Sequence, residues 1–218
     1  MSSKHLPLTD SLHAYLSDKH SGGGDPLLEE LQRETRDLFP ERAEMQISAA
    51  QGTLLSMLAS LTTAESIVEV GTFTGYSAIC LARALTPGGH LLCCDISEEW
   101  TNVARRYWER AGISDRIELR VAPALDTLRA LPADQRFDLA FVDADKTGYD
   151  AYFETLLPHM CRGGLFVFDN MLFNGRIEDA TDESAIALNA LNRKLSTDPR
   201  VESVLMPFAD GLNLARVR

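Results

Sequence analysis

Phe137-Asp138-Leu139-Ala140-Phe141-Val142-Asp143-Ala144-Asp145-Lys146 decides the fold, together with a second run, Gly163-Gly164-Leu165-Phe166-Val167-Phe168-Asp169-Asn170. Each is a short apolar stretch rich in Val, Leu and Phe, bounded by turn residues and closed by a carboxylate. Such a stretch reads as a parallel strand buried on both faces. In an open α/β sheet, ligands bind beyond the carboxyl ends of the strands. Two neighbouring strands of this kind bring Asp143, Asp169 and Asn170 to one crevice as three hard oxygen donors. Oxygen donors suit Mg2+, Mn2+ or Ca2+, whereas zinc would call for Cys and His. Taken alone, Asp169-Asn170 also suits a turn or helix cap after a strand. Asp145 likewise suits either a helix cap or a cofactor contact.

Outward from these runs, strand and helix alternate. Ile67 to Val70, His90 to Cys94 (closed by Asp95) and Ile117 to Val121 read as further strands. Helices are expected over Gly75 to Leu85, Glu98 to Arg110 behind a Ser97 cap, a short segment ending at Leu131, Tyr149 to Met160, and Ser184 to Ser196. Val201 to Met206 and Leu212 to Val217 read as an antiparallel pair at one sheet edge. The alternation predicts an α/β fold, a mostly parallel sheet with helices on both faces. Before it lie a weak helix over Leu8 to Leu16 and a flexible-looking Ser21-Gly22-Gly23-Gly24. A second helix follows from Asp25 and Pro26 to about Phe39. A third opens on the capping box Ser48-Ala49-Ala50-Gln51 and runs through Leu61. The expected organisation is one domain of 1–218, with 1–61 a helical cover over an α/β core of 62–218.

The chain has 218 residues and a formal net charge of −11. Such a surface repels nucleic acid and anionic membrane, so neither is an expected partner. No stretch approaches the ~20 apolar residues of a membrane span, and no signal-peptide core stands at the N-terminus. A soluble cytoplasmic protein is expected. Cys80, Cys93, Cys94 and Cys161 lie in or beside apolar runs without Cys-x-x-Cys spacing, which reads as free thiols, with Cys93 and Cys94 on opposite faces of one strand. The five histidines show no ligand spacing. Trp100, Tyr107 and Trp108 fall at helical spacing, where packing or a subunit contact is the simpler reading than substrate stacking.

Glu69-Val70-Gly71-Thr72-Phe73-Thr74-Gly75-Tyr76-Ser77 joins a strand to its helix. A dinucleotide fold wants Gly-x-Gly-x-x-Gly there, so that the backbone can approach a pyrophosphate. Gly71 and Gly75 with three residues between, and Phe73 and Thr74 in the gap, argue against a pyrophosphate cofactor and a nucleotide-dependent oxidoreductase. Asp95 stands where an acidic residue binds ribose hydroxyls, and Glu69 would repel phosphate while tolerating a cationic ligand. A nucleoside with a positively charged tail is favoured, which describes S-adenosylmethionine. The plain alternative is that the two glycines only make a tight turn.

With these motifs together, the chain resembles the cation-dependent catechol-type O-methyltransferases, which include the caffeoyl-CoA O-methyltransferases. The resemblance runs from Met45 and Ser48-Ala49-Ala50-Gln51-Gly52 through the Glu69 to Ser77 loop and Asp143-Ala144-Asp145-Lys146 to Asp169-Asn170-Met171-Leu172-Phe173-Asn174-Gly175 and Asp210-Gly211. It implies a Rossmann-like class I methyltransferase fold, a seven-stranded sheet with an antiparallel C-terminal strand, and commonly a homodimer. It implies Asp143, Asp169 and Asn170 as metal ligands and Lys146 beside the reacting hydroxyl, with Asp143 and Lys146 the catalytic pair. Met45, Glu69, Gly71, Thr72, Ser77, Asp95, Ala124, Asp143 and Asp145 match cofactor-contacting positions. Lys146, Asn170, Asn174 and Asp210 match positions around the acceptor. Two departures stand out. Gly175 to Glu183 carries one Arg against four carboxylates, which disfavours the phosphates of a coenzyme A ester and favours a small free catechol. Ile47 replaces a threonine of the plant members.

The chemistry needs such residues. A phenol has a pKa of about 10, so only about one in a thousand is ionised at neutral pH. A divalent cation lowers the pKa of a ligating hydroxyl, and vicinal hydroxyls can chelate it together. Lys146 then either takes the proton or, if it stays charged, stabilises the phenolate.

Overall fold

The computed structural model describes residues 9–19 and 24–218. Its centre is a seven-stranded sheet of β1 (Ser66–Val70), β2 (His90–Asp95), β3 (Ile117–Val121), β4 (Phe137–Val142), β5 (Met160–Phe168), β6 (Val201–Met206) and β7 (Leu212–Val217), in the order β3-β2-β1-β4-β5-β7-β6. The first five strands are parallel, with Val68 beside Leu92 on one side and Ala140 on the other. β7 is antiparallel to both neighbours, Val167 facing Leu214 and Leu214 facing Val204. The C-terminal hairpin therefore inserts its second strand next to β5 and leaves its first at the edge. The chain builds outward from β1 to β3 and then returns to place β4 on β1's other side, so the order reverses between β1 and β4. A crevice opens at that reversal.

The helices are α1 (Asp10–Lys19), α2 (Pro26–Leu38), α3 (Ala49–Leu61), α4 (Tyr76–Ala84), α5 (Glu98–Arg110), α6 (Ala124–Arg129), α7 (Tyr149–Leu156) and α8 (Glu183–Thr197). Local chemistry fixes several starts. Asp25 accepts the Leu27 N–H at 2.9 Å ahead of Pro26, Ser48 and Gln51 form a reciprocal capping box, and Ser97 and Asp182 cap α5 and α8. Strand parity then sorts the core into two layers. Ile67, Cys93, Leu139 and Phe141 pack with α3, α4 and α5; Val68, Cys94, Ala140 and Val142 pack with α6, α7 and α8. Cys80, Cys93 and Cys94 are buried free thiols, and Cys161 is half-buried.

Two expectations change. The helix expected to run from Tyr149 to Met160 stops at Leu156, gives way to a tight 3₁₀ turn over Leu157–His159, and Met160 already belongs to β5. Pro158 lacks the N–H that would bond the Glu154 carbonyl, so the α-helical ladder cannot continue. The weak N-terminal helix covers Asp10–Lys19 rather than Leu8 to Leu16; Leu8 and residues 21–23 of the glycine-rich stretch lie outside the described residues. Among the described residues no helix is long and apolar enough to cross a membrane.

Candidate active site

At the reversal point lies a cavity of about 650 Å³, walled by the loops after β1, β2, β4 and β5 and closed above by residues 41–47. The β1 loop can fold so tightly because residue 71 is glycine. Its φ is +93°, and a Cβ there would sit 2.0 Å from the Asp143 carbonyl oxygen. The loops after β1 and β4 thus touch backbone to backbone, as their joining hydrogen bond, Asp143 N–H to the Val70 carbonyl at 2.8 Å, requires. From β2, Asp95 accepts the Thr72 and Phe73 N–H groups at 3.0 and 2.8 Å on one oxygen and the Ser97 N–H at 2.9 Å on the other. It is 7% exposed, lines the cavity and fixes the shape of the loop. The oxygen that takes only the Ser97 N–H keeps a second lone pair, which leaves room for a ribose hydroxyl.

One end of the cavity is polar. Lys146 Nζ donates to Asp143 Oδ1 at 2.9 Å and to the Tyr149 hydroxyl at 2.8 Å; that hydroxyl donates on to the Asp169 carbonyl at 3.2 Å. Asp169 is 2% exposed. Burial, and then the neighbouring Asp143 charge, raise its carboxyl well above the usual range. Asn170, at φ +58°, turns back over the same end, its amide 3.4 Å from Asp210. Asp210 arrives from the β6–β7 turn, where it also accepts the Asn174 N–H at 2.6 Å. Among the described residues no three His, Cys, Asp or Glu side chains gather as a metal cluster. The oxygen donors that do converge are two carboxylates and an amide. Two acids crowded in a poorly solvated corner suit a hard divalent cation, which would relieve their mutual repulsion.

Every residue matched in the sequence to a metal, cofactor, acceptor or catalytic position lines this cavity except Glu69. Glu69 alternates with Val68 and Val70 along β1 and is fully buried, with the Cys93 thiol donating to it at 3.3 Å and its Oε1 unpartnered. Burial pushes its carboxyl up to about 7. Met45 forms part of the roof, 44% exposed, and Ile47 lies buried behind it. Asp145 is held by the Tyr152 hydroxyl and faces the cavity.

The aromatic trio of α5 divides. Tyr107 and Trp108 are buried packing residues, whereas Trp100 stands on the cavity wall, edge-on to Phe73 at 5.3 Å with Arg42 above it at 5.3 Å. Sequence reasoning missed Tyr149 and Tyr152, which follow Asp145 at the spacing of one helix face. It also read Gln51 only as a cap, yet its amide donates to Asp169 Oδ2 at 2.6 Å. The roof is tied down by Gln46, whose amide reaches Thr35 and Thr74 at 3.2 and 2.9 Å.

Comparison with known proteins gives this geometry a family. An O-methyltransferase family model matches residues 18–218. A probable caffeoyl-CoA O-methyltransferase of Dictyostelium discoideum is 35% identical over 196 residues, covering 86% of this chain and 85% of its own. Among solved structures, the O-methyltransferase TomG of Streptomyces achromogenes, involved in tomaymycin synthesis and determined with S-adenosylmethionine, superposes with a TM-score of 0.86. It is 31% identical and covers 95% of this chain and 96% of its own. An O-methyltransferase from Bacillus cereus in complex with SAH gives a TM-score of 0.87 at 30% identity, over 95% and 97% of the two chains. The sheet order and the loop geometry are those of the Rossmann-like methyltransferase fold, and the chain belongs to the O-methyltransferase family, as an S-adenosylmethionine-dependent enzyme.

Proposed function

We propose that the acceptor is a small free catechol, methylated on one hydroxyl, and that Asp143, Asp169 and Asn170 hold a Mg2+ ion to which both hydroxyls bind. The observation that carries this reading is the convergence of those three oxygen donors with Lys146 at one end of a single cavity. When bound, the cation would lower the pKa of the hydroxyls, and S-adenosylmethionine would supply the methyl group. The chain's own residues do the rest. Lys146 receives the hydroxyl proton on Nζ, and the ammonium so formed is held by Asp143 and the Tyr149 hydroxyl. Gly71, Thr72, Ser77, Asp95 and Ala124 position the cofactor, with Met45 roofing it. Asn174 and Asp210 border the acceptor. Holding oxygen, methyl and sulfur in line removes much of the entropic barrier.

The test is methyl transfer to a simple catechol, a matching monophenol and a catechol-bearing CoA ester, each with Mg2+ and with EDTA. Turnover of the free catechol alone, abolished by EDTA, is the expected result; turnover indifferent to EDTA would overturn the metal reading. A second reading, methylation of a catechol acyl-CoA thioester, is favoured by the caffeoyl-CoA names of the Dictyostelium relatives. It predicts a far higher kcat/KM for the CoA ester than for the free acid. The acidic stretch Glu178 to Glu183 argues for the first. The proposal extends to a homodimer, supported by Met57 and Leu61 standing exposed on α3; sedimentation velocity tests it.

A further inference from the structure

We propose that Gln51 is a positioning residue for the cation site, holding the Asp169 carboxylate in the orientation that presents it to the cavity. The inference rests on the reading that Asp143, Asp169 and Asn170 hold a divalent cation. Gln51 is 8% exposed, sits in the first turn of α3 and reaches the cavity wall. Both ends of its carboxamide are committed. Oε1 accepts the Ser48 N–H at 2.9 Å and the Ser48 hydroxyl at 3.0 Å. A backbone N–H can only donate, so the oxygen must face Ser48 and the nitrogen must face away from it. That nitrogen lies 2.6 Å from Asp169 Oδ2.

The other Asp169 oxygen takes the Asn170 N–H at 2.7 Å. One donor on each oxygen fixes the carboxylate's torsion and leaves a second lone pair on each for a ligand. The amide is also the right chemistry for the place. A neutral N–H donor orients the carboxylate without competing with the cation for it, as a lysine would, and without adding a further negative charge. Groups that orient metal-binding side chains in this way commonly set affinity, and their loss weakens binding by about 10- to 100-fold.

The same glutamine also builds the helix cap, so the test must separate the two duties. Mn2+ binding is measured by electron paramagnetic resonance titration, without cofactor or acceptor, on wild type, Gln51→Met, Ser48→Ala and Asp169→Ala. Tm in EDTA is recorded for each. Gln51→Met keeps the side chain's length and loses the donor. Ser48→Ala removes the hydroxyl of the cap but leaves the Ser48 N–H and so the glutamine's orientation; Gln51→Ala substitutes if Gln51→Met fails to fold.

The expected result is a Kd for Mn2+ raised about 10- to 100-fold in Gln51→Met and within about twofold of wild type in Ser48→Ala, even though both lower Tm. Wild-type affinity in Gln51→Met, with binding lost in Asp169→Ala, would overturn the inference and leave Gln51 a cap. Equal weakening in Gln51→Met and Ser48→Ala would overturn it too, because the effect would then travel through helix stability. Wild-type binding in Asp169→Ala would remove the cation reading beneath it.

Discussion

Lys146 is gripped from two sides, by the Asp143 carboxylate at 2.9 Å and the buried Tyr149 hydroxyl at 2.8 Å. A long flexible side chain is thereby held in one place, which a proton acceptor needs if it is to meet a hydroxyl in line. Lys146→Met is expected to lower kcat by about 10²- to 10⁴-fold, with S-adenosylmethionine affinity unchanged by calorimetry; near-wild-type turnover would remove Lys146 from the chemistry. Tyr149→Phe tests the grip rather than the proposed base. It should lower kcat on the order of tenfold and cost about 1 kcal/mol of stability, the worth of one buried hydrogen bond, measured by steady-state kinetics and urea unfolding. At this scale the motifs in the sequence foretold which residues would share one cavity, as in Asp143, Lys146, Asp169 and Asn170. Glu69, whose place before the loop suggested a ligand contact, is fully buried beside Cys93 rather than exposed in the cavity lining, and a motif's spacing does not reveal the depth at which a side chain sits.

Elements carry the site's ends into register. The β6–β7 turn docks on residues 170–174 through the Met171 N–H to the Gly211 carbonyl and the Leu172 N–H to the Asp210 carbonyl, at 2.9 and 2.8 Å. Gly211 allows this at φ +85°, where a Cβ would meet the Leu172 nitrogen at 2.7 Å. Gly211→Ala should cost about 1–3 kcal/mol through strain and displacement and raise the acceptor KM more than the cofactor KM, because Asp210 moves with the turn. Equal changes in both would show that the turn only stabilises the fold. Elements with a local signal were readable: the caps at Asp25, Ser48 and Ser97 give the starts of α2, α3 and α5. The end of α7 was misread because the apolar pattern continues smoothly past Pro158 into β5. The placement of β7 inside β6 was not readable at all, since either strand of a hairpin can pair with a sheet edge.

At the scale of the molecule, the buried Glu69 links the fold to pH. In the folded chain it holds a proton up to about 7, against 4.5 for an unburied glutamate. The folded state therefore binds more protons than the unfolded one between those values. Its contribution to stability is fully present below 4.5 and lost as pH rises through about 7, in all about 3–4 kcal/mol at roughly 1.4 kcal/mol per unit. Thermal unfolding in EDTA at pH 5 to 8 should show a falling Tm for wild type and a flatter profile for Glu69→Gln. Parallel profiles would show that Glu69 does not control the slope. Asp169 titrates alike in both proteins, so the comparison isolates Glu69.

The bond from Gln51 to Asp169 spans 118 positions of chain. It makes the opening helices and the far end of β5 one heritable unit. A chimera that grafts another family member's first 61 residues onto this core would import a new neighbour for Asp169 along with the new roof. If the proposed cation site holds, such a swap would alter metal loading as well, unless residue 51 travels as glutamine.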